Sequence, residues 1–280
     1  MKHLLISLGS SLFLLSCFHS KPDVIEVEKT PTAKHSVEAP IKSTINTANV
    51  IFSTPQVPIL CYHRIRNILP TDGVNMKTYS VSPSQFALQM KALHDNGFHT
   101  ISTKQFYEYL AYGGDLPQKP VLITFDDTRE EQYRIGAAEM NKYGFKGIFF
   151  IMTVSINRPG YMTKTQIKNL SDNGHTIGVH SWDHHLVTKY KGTDWNIQLV
   201  NPKKVLEEIT GTPVNYFAYP SGVWNKLAIS KIKSSGYQLG FILSNARDSN
   251  DPLYTVRRLI VYGSMSTDGM LKAMQATFDK

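Results

Sequence analysis

The chain has 280 residues, of which 41% are hydrophobic and 19% are charged, so it can bury a substantial core in one large domain. Its formal net charge is +8, but the Lys and Arg residues are scattered and form no basic run interleaved with aromatic residues. This pattern argues against nucleic-acid binding and favours a folded domain with a mildly cationic surface.

The N-terminus resembles a bacterial export signal. Lys2 precedes an apolar run over residues 4–15, and the run ends in Leu14-Leu15-Ser16-Cys17. The run is too short to span a bilayer comfortably as a permanent helix. We therefore expect a lipoprotein signal peptide over 1–16 and lipid attachment at Cys17, the alternative being an ordinary cleaved signal with an incidental cysteine. A lipidated Cys17 leaves Cys61 without a disulfide partner.

Residues 17–53 are predicted to be a flexible linker, and residues 54–280 the folded domain. From residue 18 to 53 the chain is rich in Lys, Glu, Thr, Ser, Ala and Pro and lacks helical periodicity. Phe18 stands where many lipoproteins of the inner membrane carry an aspartate. The expected location is the cell envelope of a bacterium, on its periplasmic or outer-membrane side, with the membrane as a partner through the lipid anchor.

After the linker, apolar strand patterns alternate with helical patterns that have recognisable ends. Ser82 as N-cap, Pro83 at the first helical position and Gly97 as stop define one helix clearly. Strands are predicted over residues 58–62, 99–101, 121–125, 147–152, 175–179, 216–219, 239–243 and 256–261. Helices are predicted over residues 83–96, 103–112, 130–143, 164–173, 195–209, 225–234 and 267–278.

This alternation predicts an α/β fold with parallel strands inside and helices outside. Seven or eight such units close more naturally into a barrel than into an open sheet. Chemistry in such a barrel collects at the C-terminal ends of the strands. Asp126-Asp127 and His180 both follow directly on predicted strands.

The two carboxylates and two histidines have the composition of a metal site. Adjacent carboxylates at a strand end point in different directions, so one can bind a metal while the other accepts a proton. His180 and His184 are four residues apart, which puts both rings on one side of a helical turn or tight loop. Imidazole and carboxylate ligands suit a divalent metal, most simply zinc, with cobalt or nickel as alternatives.

Three motifs resemble those of the polysaccharide deacetylases of carbohydrate esterase family four, the NodB homology domain. They are T-F-D-D ending at Asp127, H-S-W-D-H from His180 to His184, and F-A-Y-P-S-G over residues 217–222. The resemblance implies a distorted (β/α)7 barrel that forms a single catalytic domain. It also implies that Asp126 is the catalytic base, that Asp127, His180 and His184 are metal ligands, and that the backbone N–H of Ser221 stabilises an oxyanion.

The chain departs from the commonest family pattern at three places. No histidine follows His185, so the general acid is expected to be His63, in an arrangement that resembles the poly-N-acetylglucosamine deacetylases. Thr128 replaces the usual glycine. Ala218 replaces an arginine that orients the base, and Arg257 or Arg258 is expected to take over that role.

The expected activity is removal of N-acetyl groups from an envelope or extracellular polysaccharide: poly-N-acetylglucosamine, peptidoglycan or a chitin-like chain. The alternatives are an O-acetyl glycan esterase and a catalytically silent glycan-binding lipoprotein. Trp182, Tyr219 and Trp224 are candidates for stacking on sugar rings, with core packing as the alternative explanation.

Overall fold

The computed structural model describes residues 44–243 and 246–278. The predicted signal peptide, Cys17 and the predicted linker up to residue 43 lie outside the described residues. The strands are β1 (Ile59–Tyr62), β2 (Arg64–Ile65), β3 (Ser80–Val81), β4 (His99–Thr100), β5 (Pro120–Phe125), β6 (Ile148–Ile151), β7 (Thr176–Val179), β8 (Tyr216–Ala218), β9 (Leu239–Phe241) and β10 (Leu259–Ile260).

The helices follow the strands around the outside of the sheet. They are α1 (Ala48–Ser53), α2 (Val74–Tyr79), α3 (Pro83–Asp95), α4 (Thr103–Tyr112), α5 (Ala138–Asn141), α6 (Lys164–Asp172), α7 (Asn201–Thr210), α8 (Lys226–Ser234) and α9 (Thr267–Phe278). Short π-helical turns over Gln132–Ala137 and Asn196–Val200 lead into α5 and α7. The predicted caps are present, since the Ser82 side chain accepts a hydrogen bond from the Gln85 N–H and Pro83 opens α3.

The main sheet is parallel and curls almost into a closed barrel. Its order is β10-β1-β5-β6-β7-β8-β9, with β4 added beside β5. Val256, just before β10, forms a parallel bridge to Phe241 in β9, so one extended segment reaches both β9 and β1. The predicted distorted (β/α)7 barrel in a single domain is confirmed.

The barrel strands are buried on both faces, as parallel strands covered by helices must be. All four residues of β1 and of β6 are buried, and so are five of the six residues of β5. The parallel pairing aligns the carboxyl ends of β1, β5, β7 and β8 at one rim. Side chains that follow these strands therefore converge on a common space.

Two parts of the chain differ from the prediction. The predicted linker ends at residue 53, but α1 (Ala48–Ser53) already packs on the domain, with Ile51 in an apolar cluster that includes Val57. Sequence patterns also missed α2 and the small parallel pair of β2 and β3. None of the described helices has the length and apolar character needed to cross a membrane.

Candidate active site

The end of β5 turns sharply because two consecutive residues adopt left-handed backbone conformations. Asp127 has φ 77° and Thr128 has φ 63°. A β-branched residue rarely adopts this conformation, so the backbone at position 128 would favour glycine. Here the buried Thr128 Oγ1 accepts a hydrogen bond of 2.7 Å from the Met152 N–H. That bond holds the turn and fixes the direction of the Asp127 side chain.

The two histidines after β7 are brought together by a loop rather than by a helix. Ser181 and His184 both have positive φ, and the Ser181 hydroxyl accepts a 2.9 Å hydrogen bond from the His184 N–H. The two imidazole rings lie 4.9 Å apart between centroids. His180 Nδ1 donates to the Ala218 carbonyl at 2.8 Å. The lone pair of Nε2 is therefore free to bind a metal.

Asp127, His180 and His184 form a cluster whose ligand atoms all lie within 4.8 Å of one another. Asp127 Oδ1 lies 3.6 Å from Nε2 of each histidine and has no hydrogen-bond partner among the described residues, although it is buried. Burial lowers the pKa of His180, so its ring is neutral and free to coordinate.

These residues fit a divalent metal of the zinc type. An unpartnered carboxylate oxygen that faces two imidazole lone pairs is the donor set such a metal prefers. The His180 side chain is 1% exposed, whereas that of His184 is 37% exposed. The cluster therefore opens towards solvent on one side, as a catalytic metal site must.

Asp126 lies beside this cluster and is held by Arg258. Arg258 Nη1 donates to Asp126 Oδ1 at 2.7 Å and Nη2 donates to Oδ2 at 2.8 Å, with both side chains buried. Burial alone would raise the pKa of Asp126, but the charge and hydrogen bonds of Arg258, together with the nearby histidines His180 and His63, hold the pKa well below its usual range. The carboxylate is therefore ionised and ready to accept a proton.

Of the two predicted orienting arginines, the structure brings only Arg258 to the site. Arg257 points to the outside of the barrel, where its Nε donates to Gln56 Oε1 and its Nη2 donates to the Thr277 carbonyl. The expectation for Arg257 is therefore wrong, because adjacent residues of an extended segment face opposite sides.

His63 follows β1 and reaches the same carboxylate. One of its ring nitrogens, the Cys61 sulfur and an oxygen of Asp126 lie within 4.8 Å of one another. The buried Gln132, which sequence patterns did not single out, donates through its Nε2 to the carbonyl oxygens of both His63 and Asp126. Gln132 thus ties the ends of β1 and β5 together.

Cys61 is a second neighbour of Asp126 that sequence patterns did not assign to the site. Its Sγ lies 3.7 Å from Asp126 Oδ2, and both groups are buried. Burial raises the pKa of the Cys61 thiol. The thiol therefore stays protonated and can act as a weak hydrogen-bond donor to the carboxylate.

A cavity of about 460 Å³ lies over these groups. Ser221, with φ 56°, lies in its wall, so the loop after β8 faces the cluster of Asp127, His180 and His184. The other lining residues are His63, Arg64, Asn75, Met76, Tyr79, Asp126, Asp127, Arg129, His180, His184, Leu243 and Ile260.

The three predicted sugar-stacking aromatics do not line this cavity. Tyr219 is fully buried at the end of β8, so the prediction of a sugar contact there is wrong. Trp224 packs half-buried against the core, and Trp182 is exposed. Tyr79, on the helix that sequence patterns missed, is the aromatic residue that lies in the wall.

Residues 113–240 match the family described as "Polysaccharide deacetylase". This range contains Asp126, Asp127, His180, His184 and Ser221. The chain carries a polysaccharide deacetylase domain. The predicted family and the predicted enzyme class are therefore confirmed. His63 and Arg258, which lie beside Asp126, are outside the matched range.

Relatives and solved structures agree with this assignment. The chain is 28% identical over 275 residues to the Bacillus subtilis (strain 168) protein YxkH, covering 95% of this chain and 96% of the relative. It is 28% identical over 227 residues to a Staphylococcus aureus protein named poly-beta-1,6-N-acetyl-D-glucosamine N-deacetylase, covering 72% of this chain and 77% of that protein. The structure of Streptococcus pyogenes deacetylase PplD in complex with acetate has the same fold, with a TM-score of 0.73, 24% identity and coverage of 79% of this chain and 99% of that one.

Proposed function

We propose that this deacetylase removes N-acetyl groups from a polymer of β-linked N-acetylglucosamine and that it does so with a divalent metal, most simply zinc. The observation that carries the proposal is the cluster of Asp127, His180 and His184 beside a carboxylate that Arg258 holds ionised. A ligand set and a separate proton acceptor are what metal-assisted amide hydrolysis requires.

The chain supplies the proton acceptor for the first step. A metal held by Asp127, His180 and His184 would act as a Lewis acid on the acetamide carbonyl and would increase the acidity of water. Asp126 takes the proton from the attacking water, and its carboxylate stays in place because Arg258 binds both oxygens. The backbone N–H of Ser221 stabilises the negative charge that develops on the carbonyl oxygen.

The second step requires a proton for the departing amine. His63 has a ring nitrogen within 4.8 Å of an oxygen of Asp126, and its Nδ1 has no partner among the described residues. The ring donates a proton to the amide nitrogen as the C–N bond breaks. The products are acetate and a free amino sugar.

A β-1,6-linked polymer is the substrate that we favour. Its support is the similarity to the Staphylococcus aureus protein named for that polymer, together with a candidate acid that lies upstream of the Asp126-Asp127 pair. We further propose that the enzyme acts at the cell envelope and is held there through lipid on Cys17. The sequence Leu14-Leu15-Ser16-Cys17 supports this part of the proposal.

The test measures acetate release from a β-1,6-linked N-acetylglucosamine pentamer by the full chain. Zinc-loaded enzyme is compared with chelated enzyme and with the Asp127→Ala and His184→Ala variants. His185→Ala is the matched control, because His185 is exposed and hydrogen-bonds Asp183 rather than the cluster.

We expect release by the loaded enzyme and by His185→Ala, and loss of release on chelation and in the other two variants. Metal content, measured on the same samples, should fall in Asp127→Ala and His184→Ala. Release that survives chelation would contradict the metal assignment. Acetate release from O-acetylated xylan oligomers without any release from N-acetylated ones would identify an esterase instead.

A further inference from the structure

Two tyrosines extend the wall of the catalytic cavity on the side of His63. Tyr79, the last residue of α2, packs its ring 5.0 Å from the His63 ring. Tyr262, two residues after β10, lies 6.3 Å from Tyr79 between ring centroids. The two tyrosines are 36% and 39% exposed. Two neighbouring exposed aromatic rings at the edge of a cavity form a surface suited to contact with a ligand.

The backbone holds this pair in place. The Gly263 N–H donates to the Thr78 carbonyl at 2.8 Å, which links the segment after β10 to the end of α2. The approach is so close that a Cβ at Gly263 would collide with the carbonyl oxygens of Lys77 and Ser80. The platform, defined as the rings of Tyr79 and Tyr262, is therefore preformed.

The platform lies between two cavities. Tyr79 lines the catalytic cavity, together with His63 and the metal cluster. Tyr262 lines a second cavity of about 370 Å³ with Lys77, Thr78 and Ser264. Neither tyrosine hydroxyl makes a hydrogen bond within the part of the chain that the structure describes, so both are available to a ligand.

We propose that the platform binds the sugar residue next to the one being deacetylated. This inference rests on the proposed function, since it requires a polymeric substrate that continues out of the catalytic cavity. One face of a pyranose ring presents C–H groups that pack on an aromatic ring, while its hydroxyls bond to polar groups at the edge. Thr78 and Ser264 supply such polar groups beside Tyr262.

Tyr262→Ala tests the platform most cleanly, because Tyr262 is not among the residues that line the catalytic cavity. Tyr79 also packs on His63, so a change there would affect the candidate acid as well. Tyr112→Ala is the matched control: Tyr112 also packs against another tyrosine, Tyr107, at 5.9 Å, but lies on α4 and lines neither cavity.

We expect kcat/KM for the β-1,6-linked pentamer to fall roughly two- to tenfold in Tyr262→Ala. Hydrolysis of para-nitrophenyl acetate, which is too small to reach Tyr262, should be unchanged. Tyr262→Phe should keep most of the activity on the pentamer, and Tyr112→Ala should match the wild type on both substrates.

Equal kcat/KM for wild type and Tyr262→Ala on the pentamer would overturn the proposal that the platform binds sugar. An equal fall in kcat/KM of Tyr262→Ala on the pentamer and on para-nitrophenyl acetate would also overturn it. A wild-type enzyme that releases no acetate from any N-acetylated oligomer would refute the proposed function instead. Calorimetric titration with the pentamer then tests separately whether the platform binds the polymer. Weaker binding by Tyr262→Ala supports it, and equal binding overturns it.

Discussion

Arg258 binds the carboxylate of Asp126 through two hydrogen bonds of 2.7 and 2.8 Å, and both side chains are buried. The guanidinium enters from the segment that closes the barrel between β9 and β1. Position 218 holds alanine, and its backbone carbonyl oxygen accepts the hydrogen bond from His180 Nδ1. The Asp126 carboxylate is therefore oriented by the residue directly before β10.

Removal of Arg258 should destabilise the fold as well as the site. Arg258→Met leaves the Asp126 carboxylate buried without its counter-charge, which costs about 3–5 kcal/mol of unfolding free energy. Acetate release should fall with it. Urea unfolding at neutral pH measures the first effect, and Arg257→Met is the control, because Arg257 is partly exposed and bonds Gln56 and the Thr277 carbonyl. Equal destabilisation by the two substitutions would contradict this account.

Sequence patterns predicted the barrel because its central strands are short apolar runs and several helices, such as α3, α4 and α6, have recognisable caps. They also predicted which side chains meet, because residues that follow parallel strands gather at one rim. The structure accordingly brings Asp126, Asp127, His180, His184 and His63 together. These contacts follow from topology once the strands are placed.

The features that the sequence did not predict depend on the direction in which side chains point and on tertiary contacts. Adjacent residues such as Arg257 and Arg258 differ only in which side of the segment they face, and the sequence does not show that side. Tyrosine is a residue type that can stack on a sugar ring, but the ring of Tyr219 lies in the core. Helix α2, which carries Tyr79, lacks buried residues and so has no apolar face to detect.

His63→Ala separates the acid from the rest of the site. An amine is a poor leaving group and needs a proton, whereas para-nitrophenolate leaves as a stable anion. We therefore expect amide hydrolysis of the pentamer to fall by about 10²–10⁴ while hydrolysis of para-nitrophenyl acetate changes little. Metal content should stay at the wild-type level, as it should in the His185→Ala control. Parallel losses on both substrates would show that His63 does not act as the acid.

Gly178→Ala should disturb β7, the strand that carries His180. A Cβ at Gly178 would lie 2.5 Å from Phe150 Cδ1 and 3.1 Å from the Tyr216 carbonyl oxygen. Overpacking of this kind costs about 1–3 kcal/mol of unfolding free energy. Metal affinity should also fall, because His180 lies two residues further on. Gly114→Ala, where a Cβ meets its neighbours at 3.4 Å or more, is the control. Equal thermal unfolding temperatures for Gly178→Ala and Gly114→Ala would contradict the expected clash with Phe150.

His175, at the start of β7, should make the stability of the domain sensitive to mild acid. The residue is 4% exposed, and its Nδ1 accepts a hydrogen bond from the Gly147 N–H. Burial lowers the pKa of His175 to about 4, and the positive charge of Lys146 adds to the effect. The unfolded chain, with a histidine pKa of about 6.5, therefore binds the proton more tightly. The contribution to stability is complete above pH 6.5 and is lost as the pH falls towards 4.

Between pH 7.5 and pH 5 this group should reduce the unfolding free energy by about 2 kcal/mol. His175→Asn keeps an acceptor for the Gly147 N–H but cannot titrate, so its stability should fall less over the same interval. Urea unfolding of both proteins with chelator present measures the difference, because carboxylates and the other histidines contribute equally to both. Parallel pH profiles for the two proteins would mean that His175 is protonated as readily in the folded chain as in the unfolded one.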